Sequence, residues 1–215
     1  MRGGPPDLVW YVSYGSNLHR ARFLSYLRGG VMPGGRRADT GCRDPSPPQA
    51  DSALHLRFPL YFSGESRVWG GGVAFVDHVE RRDTDDGPTY ARGYVITGEQ
   101  FEDLVAQESK RAHAPVDWVA LRRDGRSTVG PGRYDELVVL GERDGVTMVT
   151  FTHPAALVEN ETAAPVVGYL NMLAEGLRDC HGLSDQEIAD YLCAPPGAAG
   201  AWTPDALLEA LRQVS

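Results

Sequence analysis

Residues 8–18 read LVWYVSYGSNL. The first seven are rich in β-branched and aromatic residues, and the run stops at Gly15, which is typical of a buried strand that enters a tight loop. A helix is predicted to follow over 18–27. The free N–H groups at its start, together with the side chains of Ser16 and Asn17, can hold a carboxylate or an oxyanion. The same two side chains are equally typical of a plain helix N-cap that binds no ligand.

The rest of the chain predicts an α+β protein rather than alternating βαβ units, because short strands dominate its middle and helices gather late. A compact mixed-sheet β-barrel flanked by helices fits this order. We expect one domain over 8–194, with a linker and a C-terminal helix over 195–215 packed on the same domain. Further strands are predicted at 54–62, 72–77, 90–97, 116–121, 136–141 and 146–152.

Later helices carry clear start signals. They are predicted at 98–111, 166–179, 185–193 and from Pro204 onward. Two of them open with the capping boxes Thr97-x-x-Gln100 and Ser184-x-x-Glu187, in which each end of the motif satisfies a backbone N–H. The stretch 29–52 is crowded with Gly, Pro, Arg and Asp and is therefore expected to be irregular and exposed.

Composition limits the partners and the location of the protein. The 215 residues carry a formal net charge of −8 that is spread along the chain, which argues against a nucleic-acid or anionic-membrane surface. No window offers a long uncharged apolar run, and residues 1–7 lack the basic-then-apolar order of a secretion signal, so we expect a cytoplasmic protein. Cys42, Cys180 and Cys193 have unrelated spacings and are expected to be reduced and structural.

A carboxylate stands where the helix after Thr97 is expected to be apolar. Phe101, Leu104 and Glu108 follow the i, i+3, i+7 spacing and so share one face. Glu108 is thus predicted to point toward the core or a cavity, where loss of water would raise its pKa into the range useful for proton transfer at neutral pH. The alternative, on spacing alone, is a helix-end glutamate paired with an arginine.

Other catalytic patterns are weaker. The histidines are scattered singly, without a His-Glu-x-x-His spacing, so a zinc amidohydrolase is not supported. Ser16 lacks the Gly-x-Ser-x-Gly elbow of a serine hydrolase. Cys42 can act as a nucleophile only if a base approaches it in space. Gly70-Gly71-Gly72 precedes no Gly-Lys-Ser/Thr, so it is interpreted as a close-packed strand start rather than a phosphate loop.

Four ordered segments resemble the γ-glutamylcyclotransferase family. Tyr14-Gly15-Ser16-Asn17-Leu18 is similar to its signature loop, and Trp69-Gly70-Gly71-Gly72-Val73-Ala74 is similar to its Trp-x-Gly-Gly strand. Gly93-Tyr94-Val95-Ile96, followed by Leu104-x-x-x-Glu108, resembles its strand-helix unit that ends in the catalytic glutamate. Residues 165–170 resemble its later approach to a helix that bears a substrate-contacting tyrosine. Lys110, the only lysine beside many arginines, favours an actinobacterial-type member.

The resemblance implies a γ-glutamylcyclotransferase-like fold and a reaction in which a γ-glutamyl amide releases 5-oxoproline and a free amine or amino acid. It implies that Glu108 is the catalytic acid/base. It implies that the substrate is bound by Tyr14, Gly15, Ser16, Asn17, Leu18 and Tyr169. It further implies no metal and no cofactor, with a small-molecule γ-glutamyl compound as the partner.

Two further expectations concern the substrate. The Ser16-Asn17 pair differs from the Tyr-Gly-Ser-Leu loop of the glutathione-degrading branch of the family, so glutathione is not the first substrate expected. The alternative to an enzyme is a binding or regulatory module that keeps the fold and holds a small acidic metabolite without turning it over.

Overall fold

The computed structural model describes residues 4–31, 38–66, 68–77 and 88–214. Within these ranges the strands are β1 (Val9–Ser13), β2 (Gly30–Val31), β3 (Ala38–Asp39), β4 (Ala50–Leu56), β5 (Leu60–Ser63), β6 (Val73–Val76), β7 (Thr89–Ile96), β8 (Arg126–Thr128), β9 (Glu136–Arg143) and β10 (Val146–Thr152). The α-helices are α1 (Arg20–Arg28), α2 (Gly98–Glu108), α3 (Trp118–Asp124), α4 (Val167–His181), α5 (Asp185–Cys193) and α6 (Pro204–Val214). Short 3-10 turns cover Ser16–Leu18 and Leu157–Glu159.

Six strands form a mixed sheet in the order β4-β7-β1-β10-β9-β8. β1 runs parallel to β10, with Tyr11 opposite Val149, whereas β9 lies antiparallel to both β10 and β8. Two further pairs, β2 with β3 and β5 with β6, form separate small sheets. The predicted α+β class, with a mixed sheet flanked by helices, is therefore confirmed. Closure of the strands into a barrel stays a prediction.

The contacts group the chain into two compact units. Unit 1 takes its described residues from 1–13, 20–52 and 93–154. Unit 2 takes its described residues from 14–19, 53–92 and 155–215. The expectation of one domain over 8–194, with 195–215 packed on it, stays a prediction.

Aromatic side chains form the centre of unit 1. Tyr11 of β1 stacks on Phe151 of β10 with ring centroids 5.3 Å apart, and Phe23 of α1 stacks on Tyr94 of β7 at 3.9 Å. Phe101 of α2 lies 6.0 Å from Tyr11, and all five rings belong to residues that are at most 5% exposed. Each such pair contributes about 0.5–1.5 kcal/mol beyond the burial of its area. These contacts fix α1 and α2 against the sheet.

Unit 2 is built around α4 and the β5–β6 pair. The helices of this unit bury apolar residues at helical spacing, namely Leu170, Leu173, Leu177, Ile188, Leu192, Leu207 and Leu211. Just before β6, a Cβ on Gly72 would lie 2.1 Å from the carbonyl oxygen of Ala163. The close packing predicted for this glycine run is therefore confirmed for Gly71 and Gly72, whereas a Cβ on Gly70 would have no atom within 4 Å.

The predicted strand over 116–121 is wrong, because most of this segment belongs to α3. Asp117 accepts a hydrogen bond at 3.0 Å from the backbone N–H three residues on and so caps the helix. Gly125 ends it in the left-handed conformation, with φ of 73°. Trp118 and Leu121 are buried at i and i+3, which is a helical spacing. The apolar run is too short for its pattern to distinguish this spacing from the alternation of a strand.

Two other predicted elements are divided in the structure. The strand predicted over 54–62 is wrong as a single element, because β4 and β5 lie on either side of Pro59, which cannot donate a ladder hydrogen bond. The helix predicted over 18–27 begins as the 3-10 turn Ser16–Leu18 and continues as α1. The short strand β8 carried no signal that predicted it.

The stretch 29–52, expected to be irregular and exposed, contains β2, β3 and the start of β4, while 32–37 lie outside the described residues. Side chains of α2 form hydrogen bonds with the middle of the stretch 29–52. Gln107 accepts a hydrogen bond from the Gly41 N–H at 3.1 Å, and Gln100 donates to two loop carbonyls at 3.1 and 3.0 Å. These side-chain amides satisfy backbone groups between β3 and β4, a part that is irregular and at least partly exposed as expected, whereas the pairing of β2 with β3 was not predicted.

The helices with capping signals are confirmed. Thr97 and Ser184 both complete capping boxes, and the Thr97 hydroxyl accepts from the Gln100 N–H at 3.1 Å. α4 and α6 also lie where the apolar periodicity predicted them. Among the described residues, none of the helices has the length and apolar character needed to cross a membrane.

Candidate active site

Glu108 is the last residue of α2 and continues its apolar face. Phe101, Leu104 and Val105 of this helix are fully buried, as the spacing predicted. Glu108 as a residue is half-buried, yet its carboxyl group is enclosed closely enough that loss of hydration dominates its pKa. The prediction that this carboxylate leaves the solvated side of the helix is therefore confirmed.

The helix ends directly after Glu108 in a Schellman turn. The Lys110 N–H donates to the Gln107 carbonyl at 3.2 Å and the Arg111 N–H to the Ala106 carbonyl at 2.8 Å. Lys110 itself takes the left-handed conformation, with φ of 54°. These bonds fix the end of the helix and with it the backbone that carries Glu108.

A buried carboxylate anchors the segment that follows. Asp135 is 0% exposed and accepts hydrogen bonds from the Ser109 hydroxyl, the Arg111 guanidinium and the Gly132 N–H. Arg111 also donates to the Val129 carbonyl at 2.8 Å. Ser109 and Arg111 therefore hold the chain on the C-terminal side of Glu108 to the rest of unit 1.

Three side chains from α1 and β3, those of Arg22, Tyr26 and Asp39, act on the pKa of the Glu108 carboxyl. The Tyr26 hydroxyl accepts a hydrogen bond from the Arg22 guanidinium at 2.9 Å, and both groups act on the pKa of Glu108. That guanidinium lies 4.4 Å from the centre of the Tyr26 ring and also donates to Asp39 at 2.6 Å. Ser25 donates to the same Asp39 oxygen at 2.5 Å. Hydrogen bonds thus join Asp39, Arg22 and Tyr26 into one group, whose charges act on the pKa of Glu108.

The pKa of Glu108 is raised above its ordinary value. Burial is the largest cause, and the negative charge of Asp39 acts in the same direction. The Tyr26 hydroxyl and the positive charges of Arg22 and Lys110 act against it without cancelling it. A carboxyl group with a raised pKa is suited to take up and return a proton near neutral pH.

The loop at 14–18 belongs to unit 2 and follows β1 in the chain. Gly15 occupies the N-cap position of the 3-10 turn, and no side chain caps that turn. The plain cap interpretation of Ser16 and Asn17 therefore does not describe this turn. Tyr14, Asn17 and Leu18 are buried, whereas Gly15 and Ser16 are partly exposed. The surface that the loop can offer to a ligand is thus centred on Gly15 and Ser16.

Tyr169 of α4 lies against this loop. A Cβ on Gly15 would be 3.3 Å from the Tyr169 hydroxyl oxygen, and that oxygen accepts a hydrogen bond from the Ala74 N–H at 3.0 Å. The Trp69 ring lies 5.4 Å from the Tyr169 ring. The structure therefore brings together three of the segments that carried the family resemblance. Tyr169 is 2% exposed and is therefore part of the core of unit 2.

Two buried groups hold the end of this loop. Arg92 donates to the Leu18 carbonyl at 3.4 Å and forms an ion pair with Asp179 of α4 at 2.5 Å. Gly176 packs so closely on the loop that a Cβ there would lie 2.5 Å from the Leu18 carbonyl carbon. α4 thus contacts the loop through both Tyr169 and Gly176.

The other candidate groups fall into structural roles. Burial raises the pKa of the Cys42 thiol to about 12, so it is a poor nucleophile, and all three cysteines are free thiols. His19 pairs with Glu175 at 3.1 Å, and His181 contacts the Ala91 carbonyl at 3.0 Å. Within the described ranges, no group of three or more His, Cys, Asp and Glu side chains could hold a metal ion.

Sequence reasoning missed Arg22, Tyr26 and Asp39. A signal for two of them was present, because Arg22 and Tyr26 lie at i and i+4 beside the apolar stripe of α1 and so face the same neighbours. Asp39 carried no such signal. It stands in a segment whose composition predicted only an exposed loop.

Comparisons with known proteins place these observations in context. No family model matches the sequence. The chain is 32% identical over 201 residues to histone deacetylase 5 of Arabidopsis thaliana, a match that covers 86% of this chain and 30% of that protein. A gamma-glutamyl cyclotransferase structure superposes with a TM-score of 0.49, and the crystal structure of an uncharacterized human protein with a TM-score of 0.50. Each is 15% identical and is matched over 96% of this chain and 99% of its own.

These likenesses differ in what they establish. The human structure shows a shared fold over nearly the whole chain. The chain spans about 30% of the length of the histone deacetylase relative, and the name of that protein describes the whole of it. The deacetylase activity in that name is therefore not assigned to this chain.

Proposed function

We propose that this chain is a cytoplasmic γ-glutamylcyclotransferase-type enzyme that releases 5-oxoproline and a free amine or amino acid from a γ-glutamyl amide. One observation carries the proposal. Glu108 combines an enclosed carboxyl group, a raised pKa and a fixed helix end, and it stands at the position that resembles the catalytic glutamate of that family. Glu102 and Asp103 of α2 lie off this apolar face, and they bind Trp118 and Arg43.

In the proposed reaction the α-amine of the γ-glutamyl group attacks its own γ-carbonyl carbon. A new carbon–nitrogen bond closes the five-membered ring, and the bond from that carbon to the departing nitrogen breaks. Glu108 takes a proton from the attacking amine and returns it to the departing nitrogen, so it acts first as base and then as acid. Holding the substrate in the folded geometry can contribute effective molarities of about 10⁵ M or more.

The proposed substrate contacts are Tyr14 to Leu18 and Tyr169. In this scheme the backbone N–H groups near Gly15 and Ser16 bind a carboxylate or the developing oxyanion. The partial exposure of these two residues supports the assignment, and so does the close approach of the Tyr169 hydroxyl to Gly15. The buried Arg92 that binds the Leu18 carbonyl would keep the loop in place while the substrate binds.

A binding module without turnover is the competing function. The observation that favours it is the burial that raises the pKa of Glu108, since a buried carboxyl group can be purely structural. The two functions differ in a measurable way. An enzyme converts its ligand to 5-oxoproline, whereas a module returns the ligand unchanged.

The test is a turnover screen of the purified chain across γ-glutamyl amino acids and γ-glutamyl amines, with 5-oxoproline as the measured product. Reactions are run in ¹⁸O-labelled water. We expect unlabelled 5-oxoproline and a free amine for at least one substrate class. Free glutamate that carries the label would show hydrolysis and contradict the proposed aminolysis, and binding without any product would favour the module.

A further inference from the structure

Trp69 is a partly exposed aromatic side chain that packs on Tyr169. The centres of the two rings lie 5.4 Å apart, with an angle of 56° between the ring planes. At the other end of Tyr169, the hydroxyl oxygen lies 3.3 Å from the position that a Cβ on Gly15 would take. The partly exposed residues Trp69 and Gly15 therefore border the same buried tyrosine, one at its ring and one at its hydroxyl.

The turn that carries Trp69 is closed by hydrogen bonds to Ser66, which is 8% exposed. The Ser66 hydroxyl accepts from the backbone N–H groups of Val68 and Trp69, both at 3.2 Å. The Ser66 carbonyl accepts from the Gly70 N–H at 2.7 Å, and the Ser66 N–H donates to the Gly71 carbonyl at 2.9 Å. Four hydrogen bonds to one buried serine thus fix the backbone on both sides of Trp69.

Glycines seat this turn against the segment that precedes α4. A Cβ on Gly71 would lie 2.8 Å from the Ala164 carbonyl oxygen and 2.9 Å from Cγ1 of Val166. The Gly72 N–H donates to the same Ala164 carbonyl at 2.9 Å. Trp69 is thus carried by backbone that is held both within the turn and from behind. An aromatic side chain on such a rigid support loses little conformational entropy when a ligand binds to it.

Val68 and Trp69 expose apolar surface at this turn. Val68 is 58% exposed, and Trp69 is partly exposed although an indole ring gains free energy when it is covered. A flat apolar group is the best cover for an indole ring, because burial and ring stacking then act together. The proposed contacts for the γ-glutamyl part of the substrate are centred on Gly15 and Ser16, on the other side of Tyr169. The rest of the substrate can therefore extend to Trp69.

We propose that Trp69 is a specificity-determining residue, and that it forms with Val68 a subsite for a departing amine or amino acid that carries an aromatic side chain. The inference deepens the proposed function, since it rests on a γ-glutamyl group that is bound near Gly15 and Ser16. It names the class of the departing group and assigns Trp69 no part in proton transfer.

The test compares γ-glutamylphenylalanine with γ-glutamylglycine, which differ only in the side chain of the departing amino acid. Dissociation constants are measured by titration calorimetry for wild type, Trp69→Ala and Trp69→Phe, and 5-oxoproline is measured in the same samples. Where 5-oxoproline forms, the ratio of the two kcat/KM values replaces the ratio of the dissociation constants. Val158→Ala is the matched control, because it also removes an exposed apolar side chain of unit 2 but lies outside the turn.

We expect wild type to prefer the phenylalanine ligand by roughly tenfold, which is the scale of one well-covered aromatic pair. Trp69→Ala should reduce the preference to about twofold or less, whereas Trp69→Phe and the control should keep most of it. Should Trp69→Ala unfold, Trp69→Leu takes its place, because leucine still covers Tyr169 but offers no ring for stacking.

The inference is overturned if wild type binds neither ligand or does not prefer the phenylalanine ligand, or if the variant without the ring keeps the preference. Failure of the proposed function gives a different result. A preference that depends on Trp69 but yields no 5-oxoproline keeps the subsite and contradicts the enzyme. Formation of 5-oxoproline from both ligands with equal kcat/KM keeps the enzyme and overturns the subsite.

Discussion

The contact of α4 with the loop at 14–18 can be tested by adding a single methyl group. In Gly176→Ala the new Cβ would lie 2.5 to 2.7 Å from the Leu18 carbonyl carbon, the Leu18 Cβ and the His19 nitrogen. Two of these are backbone atoms, which cannot rotate away. Overpacking of this kind lowers the free energy of unfolding by about 1–3 kcal/mol. Because backbone atoms are involved, we expect a cost of about 3 kcal/mol at this site.

Helix propensity acts in the opposite direction. Alanine in a helix interior is favoured over glycine by about 1 kcal/mol, so the net loss for Gly176→Ala is about 2 kcal/mol. For a chain of this size that corresponds to a fall in melting temperature of about 4–8 °C. Gly168→Ala, on the same helix, is the matched control, because no atom lies within 4 Å of its added Cβ. Gly168→Ala should raise the free energy of unfolding by about 0.5 kcal/mol. This is less than the value for a helix interior, because residue 168 lies in the first turn of α4.

The assay is thermal unfolding of the two variants beside wild type, followed by circular dichroism and by calorimetry. We expect melting temperatures that shift in opposite directions, down for Gly176→Ala and up for Gly168→Ala. If both variants are stabilised, helix propensity alone decides and the close packing of Gly176 on the loop is refuted.

Three other substitutions test the surroundings of the two candidate groups. Asp135→Asn should lower the free energy of unfolding by about 3 kcal/mol, because Arg111 and Ser109 lose a buried charged acceptor. The control Asp124→Asn, at an exposed position, should leave the free energy of unfolding unchanged. Equal denaturation midpoints for the two variants would show that Asp135 does not anchor this segment. Lys110→Gly should raise the free energy of unfolding by about 0.5 kcal/mol, since glycine avoids the penalty of about 1–2 kcal/mol for the left-handed conformation but costs about 0.5–1 kcal/mol in chain entropy. A lower melting temperature would contradict the Schellman turn at the end of α2. Tyr169→Phe should cost about 1 kcal/mol through its bond to Ala74 and should also reduce kcat/KM; an unchanged kcat/KM would remove Tyr169 from the substrate site.

Local signals explain what could be predicted from the sequence. The capping box at Thr97 and the stripe of Phe101 and Leu104 lie within one helix, so spacing alone placed Glu108 on the buried face. The β1 strand and the loop after it were equally local, since a run of β-branched and aromatic residues ended at Gly15.

The missed features depend on contacts between distant segments. Asp39 reaches Arg22 across 17 positions, and Asp135 reaches Arg111 across 24, neither of which any periodicity encodes. The strand predicted over 116–121 failed for a different reason. Its apolar run is too short to distinguish the two periods, and the Asp117 cap decided in favour of the helix.

Glu108 also affects the stability of the fold in a way that depends on pH. Burial raises the pKa of Glu108 in the folded chain, so its favourable contribution is present at low pH and is lost as the pH rises through the folded value. A neutral glutamine does not titrate. Glu108→Gln should therefore melt no lower than wild type at neutral pH, with the difference in its favour growing as the pH rises.

The most direct measurement is the turnover of Glu108→Gln beside wild type, on whichever γ-glutamyl substrate the screen identifies. Glutamine keeps the shape but cannot exchange the proton. We expect substrate binding to persist while the rate falls by roughly 10² to 10⁴, about 3 to 5 kcal/mol of barrier. A variant that folds, binds and turns over at nearly the wild-type rate would show that Glu108 is not the acid/base, and the proposed mechanism would fail with it.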